Sequence, residues 1–160
     1  LRATNLPCTA VAEGALMADV VQLNQRLAAA LKARRLAGIQ PFTVMSCDNL
    51  PSNGKVARAA VVGTAQLSDP DLAAWIDQTV AFPNAMVDRI TPATGPRERA
   101  MAARFGLGDD PVPVTCEPFR QWVLEDNFPQ GRPAFEAVGV KVGKTPSETA
   151  SLMREIIAKL

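Results

Sequence analysis

Histidine and tyrosine are both absent from these 160 residues. Without an imidazole, no Ser-His-Asp or Cys-His system exists within the chain, and the commonest zinc ligand is missing. Without a phenol, tyrosine acid catalysis is excluded. Proton transfer must therefore rest on Lys, Asp, Glu or Cys. Cysteine is scarce as well: Cys8, Cys47 and Cys116 are odd in number and far apart, which argues against a disulfide framework and a cysteine zinc knuckle and suits a reducing cytoplasm. No apolar run is long enough to span a bilayer, and no basic segment, apolar stretch and small-residue cleavage site follow one another as an export signal requires. An excess of one charge is lacking too. With 17 basic and 16 acidic residues the net charge is +1, so no global field draws the protein to nucleic acid or to a membrane surface, and neither is expected as a partner.

What remains is the balance of a globular protein, 48% hydrophobic and 21% charged, with length for one α/β domain spanning residues 1–160. The chain begins at Leu1 and not Met, which carries the expectation of a piece of a longer polypeptide. Apolar residues at Leu16, Val20, Leu23, Leu27 and Leu31 predict a helix from about Ala12 to Ala37, stopped by Gly38. Residues 42–47 are β-prone and predict a strand buried on both faces. The Pro51-Ser52-Asn53-Gly54 turn then leads into a helix with Val56, Ala59, Ala60 and Gly63 at helical spacing. Asp69-Pro70 opens a third helix whose inner face carries Leu72, Trp75, Ile76, Thr79 and Val80.

Ala85-Met86-Val87 reads as a second short strand ending in Asp88-Arg89. A basic helix is expected from Gly95-Pro96 to about Phe105, strands at 113–116 and 121–124, and a strand over Ala137–Val142. Thr145-Pro146-Ser147-Glu148 is a capping box for a final helix whose face bears Thr149, Leu152, Met153, Ile156, Ile157 and Leu160. That face either covers the sheet or supports self-association, and periodicity does not separate the two. The alternation implies an α/β fold with a mostly parallel sheet, in which ligands sit at the carboxyl ends of strands. Asn49 and Asp88 fall just past two such ends. There they serve as turn caps or as a pair, amide donor and carboxylate acceptor, that orients a hydroxyl or holds a cationic acid/base group. Together they suggest carbonyl–alcohol interconversion.

Two stretches imitate phosphate sites. Gly106-Leu107-Gly108 runs into Asp109-Asp110, whose carboxylates repel a pyrophosphate, and it reads as loop. Gly139-Val140-Lys141-Val142-Gly143-Lys144-Thr145 is one residue short of a phosphate-binding loop, and Pro146 removes a backbone donor. Cys47 has no histidine partner and reads as a core or pocket-wall thiol. Trp75 and Trp122 read as packing residues, and Arg58, Arg97, Arg99 and Arg104 as solvated helix charges.

Four ordered motifs extend this reading: Ser46-Cys47-Asp48-Asn49-Leu50-Pro51-Ser52-Asn53-Gly54, then Phe82 through Pro92, then Glu117 through Asp126, then Gly131-Arg132-Pro133. Over roughly residues 30–140 the chain resembles the mannitol dehydrogenase family, the long-chain polyol dehydrogenases and hexuronate reductases, fructuronate reductase among them. The resemblance implies part of a Rossmann-type domain and hydride transfer between NAD or NADP and a sugar alcohol or sugar acid, without a metal. It implies catalytic roles at Asn49, which contacts the reacting oxygen, and at Asp88, which neighbours the family's lysine. It also implies cofactor contacts at Ser46, Cys47 and Val87. Three parts of the family pattern are not found: the glycine-rich amino-terminal unit, the helical carboxyl-terminal domain, and a lysine followed on one helix by asparagine and histidine. Neither Lys144 nor Lys159 has those followers. The expected function is thus that of an NAD(P)-dependent polyol or hexonate oxidoreductase present as an incomplete segment with low or no activity alone. The alternatives are a non-catalytic stand-alone α/β module and a phosphate-loop nucleotide binder.

Overall fold

A computed structural model describes residues 17–157. The expected beginning of the first helix, Cys8, Lys159 and Leu160 lie outside the described residues. The contacts divide the chain into two units, residues 1–44 with 55–82 and residues 45–54 with 83–160.

The first unit is helical. Helices α1 (Met17–Leu36), α2 (Asn53–Gln66, its first two residues assigned to the second unit) and α3 (Pro70–Thr79) surround a core whose largest fully buried side chains are Leu31, Val61 and Ile76. Burying each contributes about 1.5–3 kcal/mol. Asp69 caps α3 as expected, Oδ1 accepting from Leu72 N–H at 3.0 Å, with Pro70 at the first helical position. Its Oδ2 lies 2.8 Å from Lys32 Nζ, and that bond, ahead of the Leu72 amide, holds the carboxyl below its ordinary range. Of the face expected for α3, Leu72, Ile76 and the C-cap residue Val80 are buried, Thr79 is exposed, and Trp75 is half-buried and carries the Arg35 guanidinium 5.7 Å from its ring centroid.

Two further expectations fail in this unit. The α2 inner face is Ala57, Val61 and Ala65, one residue on from the expected set, and Val56 is 50% exposed. A helix this rich in alanine offers little contrast between faces, so the valines that meet the core, Val61 and Val62, decide the rotation. Residues 42–47 form no strand. Val44 N–H donates to the Ala81 carbonyl at 3.0 Å, and one such bond is not a ladder.

The second unit holds a sheet of order β1-β2-β3, with β1 Ala85–Asp88, β2 Gln121–Glu125 and β3 Lys141–Gly143. The α/β class holds, but the sheet is mixed and not mostly parallel: β1 pairs antiparallel with β2, in register Ala85↔Leu124 to Asp88↔Gln121, and β2 pairs parallel with β3. Short apolar runs encode a buried strand but not its direction. The pleat sorts side chains to two faces. Met86 and Val123 pack with Ile156, Leu152 and Met153 of α5 (Pro146–Ile157), so the apolar face of the final helix is laid on the sheet. Ala85, Leu124 and Val140 pack on the other side with Met45, Trp122, Phe128 and Phe135. The Trp122 and Phe135 rings stand 5.5 Å apart.

Residues 113–116 form no strand; Pro111 and Pro113 supply no ladder donors, and the Pro113 carbonyl accepts from Thr94 Oγ1 at 2.7 Å. The strand expected over 137–142 is instead a short 3₁₀ helix, Phe135–Val138, followed by Gly139 at φ 91° and then β3. The left-handed glycine breaks the extended run. Helix α4 (Pro96–Arg104) forms as expected and ends in a Schellman closure: Leu107 N–H bonds to the Ala102 carbonyl and Gly106 N–H, at φ 78°, to that of Ala103. Gly106-Leu107-Gly108 is therefore a helix stop.

Candidate functional site

The turn after residue 45 is built by asparagines. Asp48 Oδ1 accepts from Leu50 N–H at 3.2 Å, closing an Asx turn. Asn53, read from sequence as a turn residue, is only 2% exposed. Its Nδ2 donates to the Asp48 carbonyl (2.9 Å) and the Ala85 carbonyl (2.8 Å), while its Oδ1 accepts from Ala85 N–H at 2.9 Å. One side chain thereby satisfies both backbone groups of the first β1 residue, groups that are costly to bury unpaired. Asn84 completes the tie: Oδ1 accepts from Gly54 N–H at 3.1 Å, and Nδ2 donates to Glu125 Oε2 at 2.8 Å. The 46–54 turn, the start of β1 and the end of β2 are thus bound together.

At the far end of β1, Glu117 plays the matching part. Its Oε1 accepts from Ile90 N–H at 2.7 Å and its carbonyl accepts from Arg89 Nε at 3.1 Å. The turn and this strand end hold Asn49 and Asp88 on the wall of one cavity of about 700 Å³, together with Val87, Arg89, Arg120 and Trp122. The structure thus brings together Asn49, Asp88 and Val87 of the residues singled out from sequence. Ser46 and Cys47 are not among the lining residues; Ser46 is half-buried and Cys47 exposed, so Cys47 is not a core thiol. The sequence reading passed over Arg89, Arg120, Gln121 and Trp122 as site residues. The signal for them was present, because each borders a strand end that meets the end carrying Asp88.

Gln121 and Trp122 line the cavity, but their Nε2 and Nε1 atoms are buried and have no acceptor among the described residues. The Asp88 carboxylate likewise has no hydrogen-bond or ion-pair partner among the described residues. No group of three or more Cys, Asp or Glu side chains among the described residues is arranged to hold a metal ion.

The second phosphate-site lookalike is accounted for by packing. A Cβ on Gly143 would collide with the Thr149 backbone and hydroxyl, and Thr149 Oγ1 lies 3.1 Å from the Gly143 carbonyl. Glu148 N–H donates to Thr145 Oγ1 at 3.1 Å, and the Glu148 carboxylate accepts from Lys144 N–H at 2.9 Å. A carboxylate thus takes the donor that a phosphate would need. Further along, Arg132 forms a fork between Asp126 (Nε to Oδ1, 2.7 Å) and Glu136 (Nη2 to Oε1, 2.7 Å). Hydrogen bonding to Arg132 holds Asp126 below its usual range and Glu136 at about 2.

These features define an α/β domain that presents a small-molecule cavity where strand ends meet. Residues 4–137 match the family model of the mannitol dehydrogenase Rossmann domain, reaching further toward the amino terminus than the four motifs do. The chain is 72% identical over 112 residues to a mannitol 2-dehydrogenase of Cereibacter sphaeroides and 54% identical over 113 residues to a D-mannonate oxidoreductase of Escherichia coli (strain K12), each match covering 70% of this chain and 23% of the relative. Among solved structures it resembles a D-sorbitol dehydrogenase in substrate-free form, with TM-score 0.70 and 43% identity over 80% of this chain and 29% of the other. It also resembles the Pseudomonas fluorescens mannitol 2-dehydrogenase in its ternary complex with NAD and D-mannitol, with TM-score 0.67 and 47% identity over 85% of this chain and 31% of that one. The chain belongs to the mannitol dehydrogenase family, and it spans about a quarter of the length of the curated relatives it matches.

Proposed function

We infer that this chain forms the substrate-facing part of an NAD(P)-dependent oxidoreductase that interconverts a polyol and a ketose, or a hexonate and a keto-hexuronate. The observation that carries the reading is the convergence of Asn49 and Asp88 on one cavity large enough for a small ligand. The residues suit a nicotinamide and a polyol: Val87 supplies an apolar wall, and Asn49 and Asp88 supply a donor and an acceptor. Ser46 and Cys47, beside the turn that carries Asn49, complete the expected cofactor-facing set.

The dinucleotide, NAD or NADP, supplies the hydride acceptor and donor when bound. The chain's own residues orient the reacting carbon. The Asn49 amide donates to the carbonyl or alcohol oxygen, and the Asp88 carboxylate accepts from a hydroxyl or steadies a cationic acid next to it. No lysine among the described residues lines the cavity, so the described residues hold the oxygen without delivering a proton to it. The 160-residue protein is therefore expected to bind NADH, followed by fluorescence titration, and to show no NADH oxidation with fructose. Absence of NADH binding would overturn the reading, and turnover abolished by Asn49→Ala would overturn its inactive part. A stand-alone module predicts no NADH binding at all.

A further inference from the structure

The cavity carries more positive charge than a neutral polyol requires. Arg89 and Arg120 are the residues immediately beyond the last ladder pair of the antiparallel strands, Asp88↔Gln121, and both line the cavity. Like charges facing each other across two strands repel. Neither guanidinium is in an ion pair, and the Arg120 side chain makes no hydrogen bond among the described residues. The carboxylates nearby are otherwise placed: Glu117 Oε1 accepts from Ile90 N–H, and Asp88 belongs to the same wall. Two cationic side chains at one end of a cavity form a receptor for an anionic oxygen group. Arginine's planar fork matches a carboxylate or a phosphate in a way that a sugar hydroxyl does not use.

We propose that Arg120, with Arg89, forms an oxyanion subsite of this cavity. The group it holds is the carboxylate of a sugar acid or a phosphate of the dinucleotide. This deepens the function proposed above and rests on reading the cavity as the ligand site. Arg120 then acts as a specificity residue: D-mannonate and D-mannitol share a carbon skeleton and differ at one terminus, carboxylate against hydroxymethyl, and only the former has a group for the fork.

The test is isothermal titration of the 160-residue protein with D-mannonate, D-mannitol and NADH, repeated on Arg120→Gln and Arg120→Lys. Arg120 is exposed, so both variants are expected to keep the wild-type circular dichroism spectrum. D-mannonate should bind about tenfold or more tightly than D-mannitol, with the advantage lost in Arg120→Gln and partly kept in Arg120→Lys. A loss confined to NADH keeps the subsite and assigns it to a cofactor phosphate. Unchanged preference and unchanged NADH binding in both variants would overturn the subsite and leave the proposed function standing. Wild-type protein that binds none of the three would overturn both.

Discussion

The two units of this chain have interiors of different chemistry. The helical unit, residues 17–44 with 55–82 among those described, has an apolar core, and its ion pairs Lys32–Asp69 and Arg58–Asp77 lie at the surface. Both buried polar side chains among the described residues, Asn53 and Thr149, belong to the sheet-bearing unit. So do all three buried polar atoms without a partner, on Thr115, Gln121 and Trp122. Polar groups are costly to bury, and a unit that concentrates them is one whose interior is shaped for more than packing. The same unit holds the cavity with Asn49 and Asp88.

That contrast is open to test by mutation. The largest effect is expected in the apolar unit: Leu31→Ala should cost about 3 kcal/mol of unfolding free energy through cavity formation, read by urea denaturation. Asn53→Ala should cost about 2 kcal/mol in the sheet-bearing unit by stranding the Ala85 N–H and carbonyl, and hydrogen exchange should show the Ala85 amide losing protection. Equal or greater tolerance of Asn53→Ala relative to a surface substitution would break the comparison.

A smaller effect is expected with acid. The folded-state acidity of Glu136, about 2 against an ordinary 4.5, arises from its bonds to Arg132. A depressed pKa contributes stability above the unfolded value, and the contribution is lost as pH falls from about 4.5 toward 2. Asp126, lowered by the same guanidinium, acts in the same direction. Stability measured across that window should fall less steeply in Arg132→Gln than in the wild type; parallel slopes would refute the assignment. The smallest stability effect belongs to Asn49→Ala, below about 0.5 kcal/mol because the residue is exposed. Its expected consequence is weaker polyol binding in calorimetry.

Much of the fold was legible in the residues. The Asp69-Pro70 cap, the Gly95-Pro96 helix start and the Thr145-Glu148 helix opening rest on interactions between near neighbours and appear where expected, and the Ala85–Asp88 strand appears too, though its ladder partners lie on β2. The errors lie where a distant partner decides. The α2 face depends on which valines meet the core, residues 42–47 needed a ladder to become a strand, and β1 against β2 took the antiparallel direction. Of the site, Val87 and Asp88 were visible at a strand end within a recognisable motif, and Asn49 within another motif, although the strand expected before it does not form. The arginines, Gln121 and Trp122 were not, because their relevance depends on a register set by pairing across 32 or more residues of chain.

Local order thus fixes caps, turns and the family signature, since these depend on side chains a few positions apart. The absence of histidine likewise settled which proton chemistry was open before any fold was known. Asn53 as a buried tie, Glu148 in place of a phosphate and the two arginines lining the cavity with Asp88 came from the packed molecule alone. A hydrogen-bonding group has no fixed meaning until folding selects its partner, and in this chain the selecting contacts lie far along the sequence.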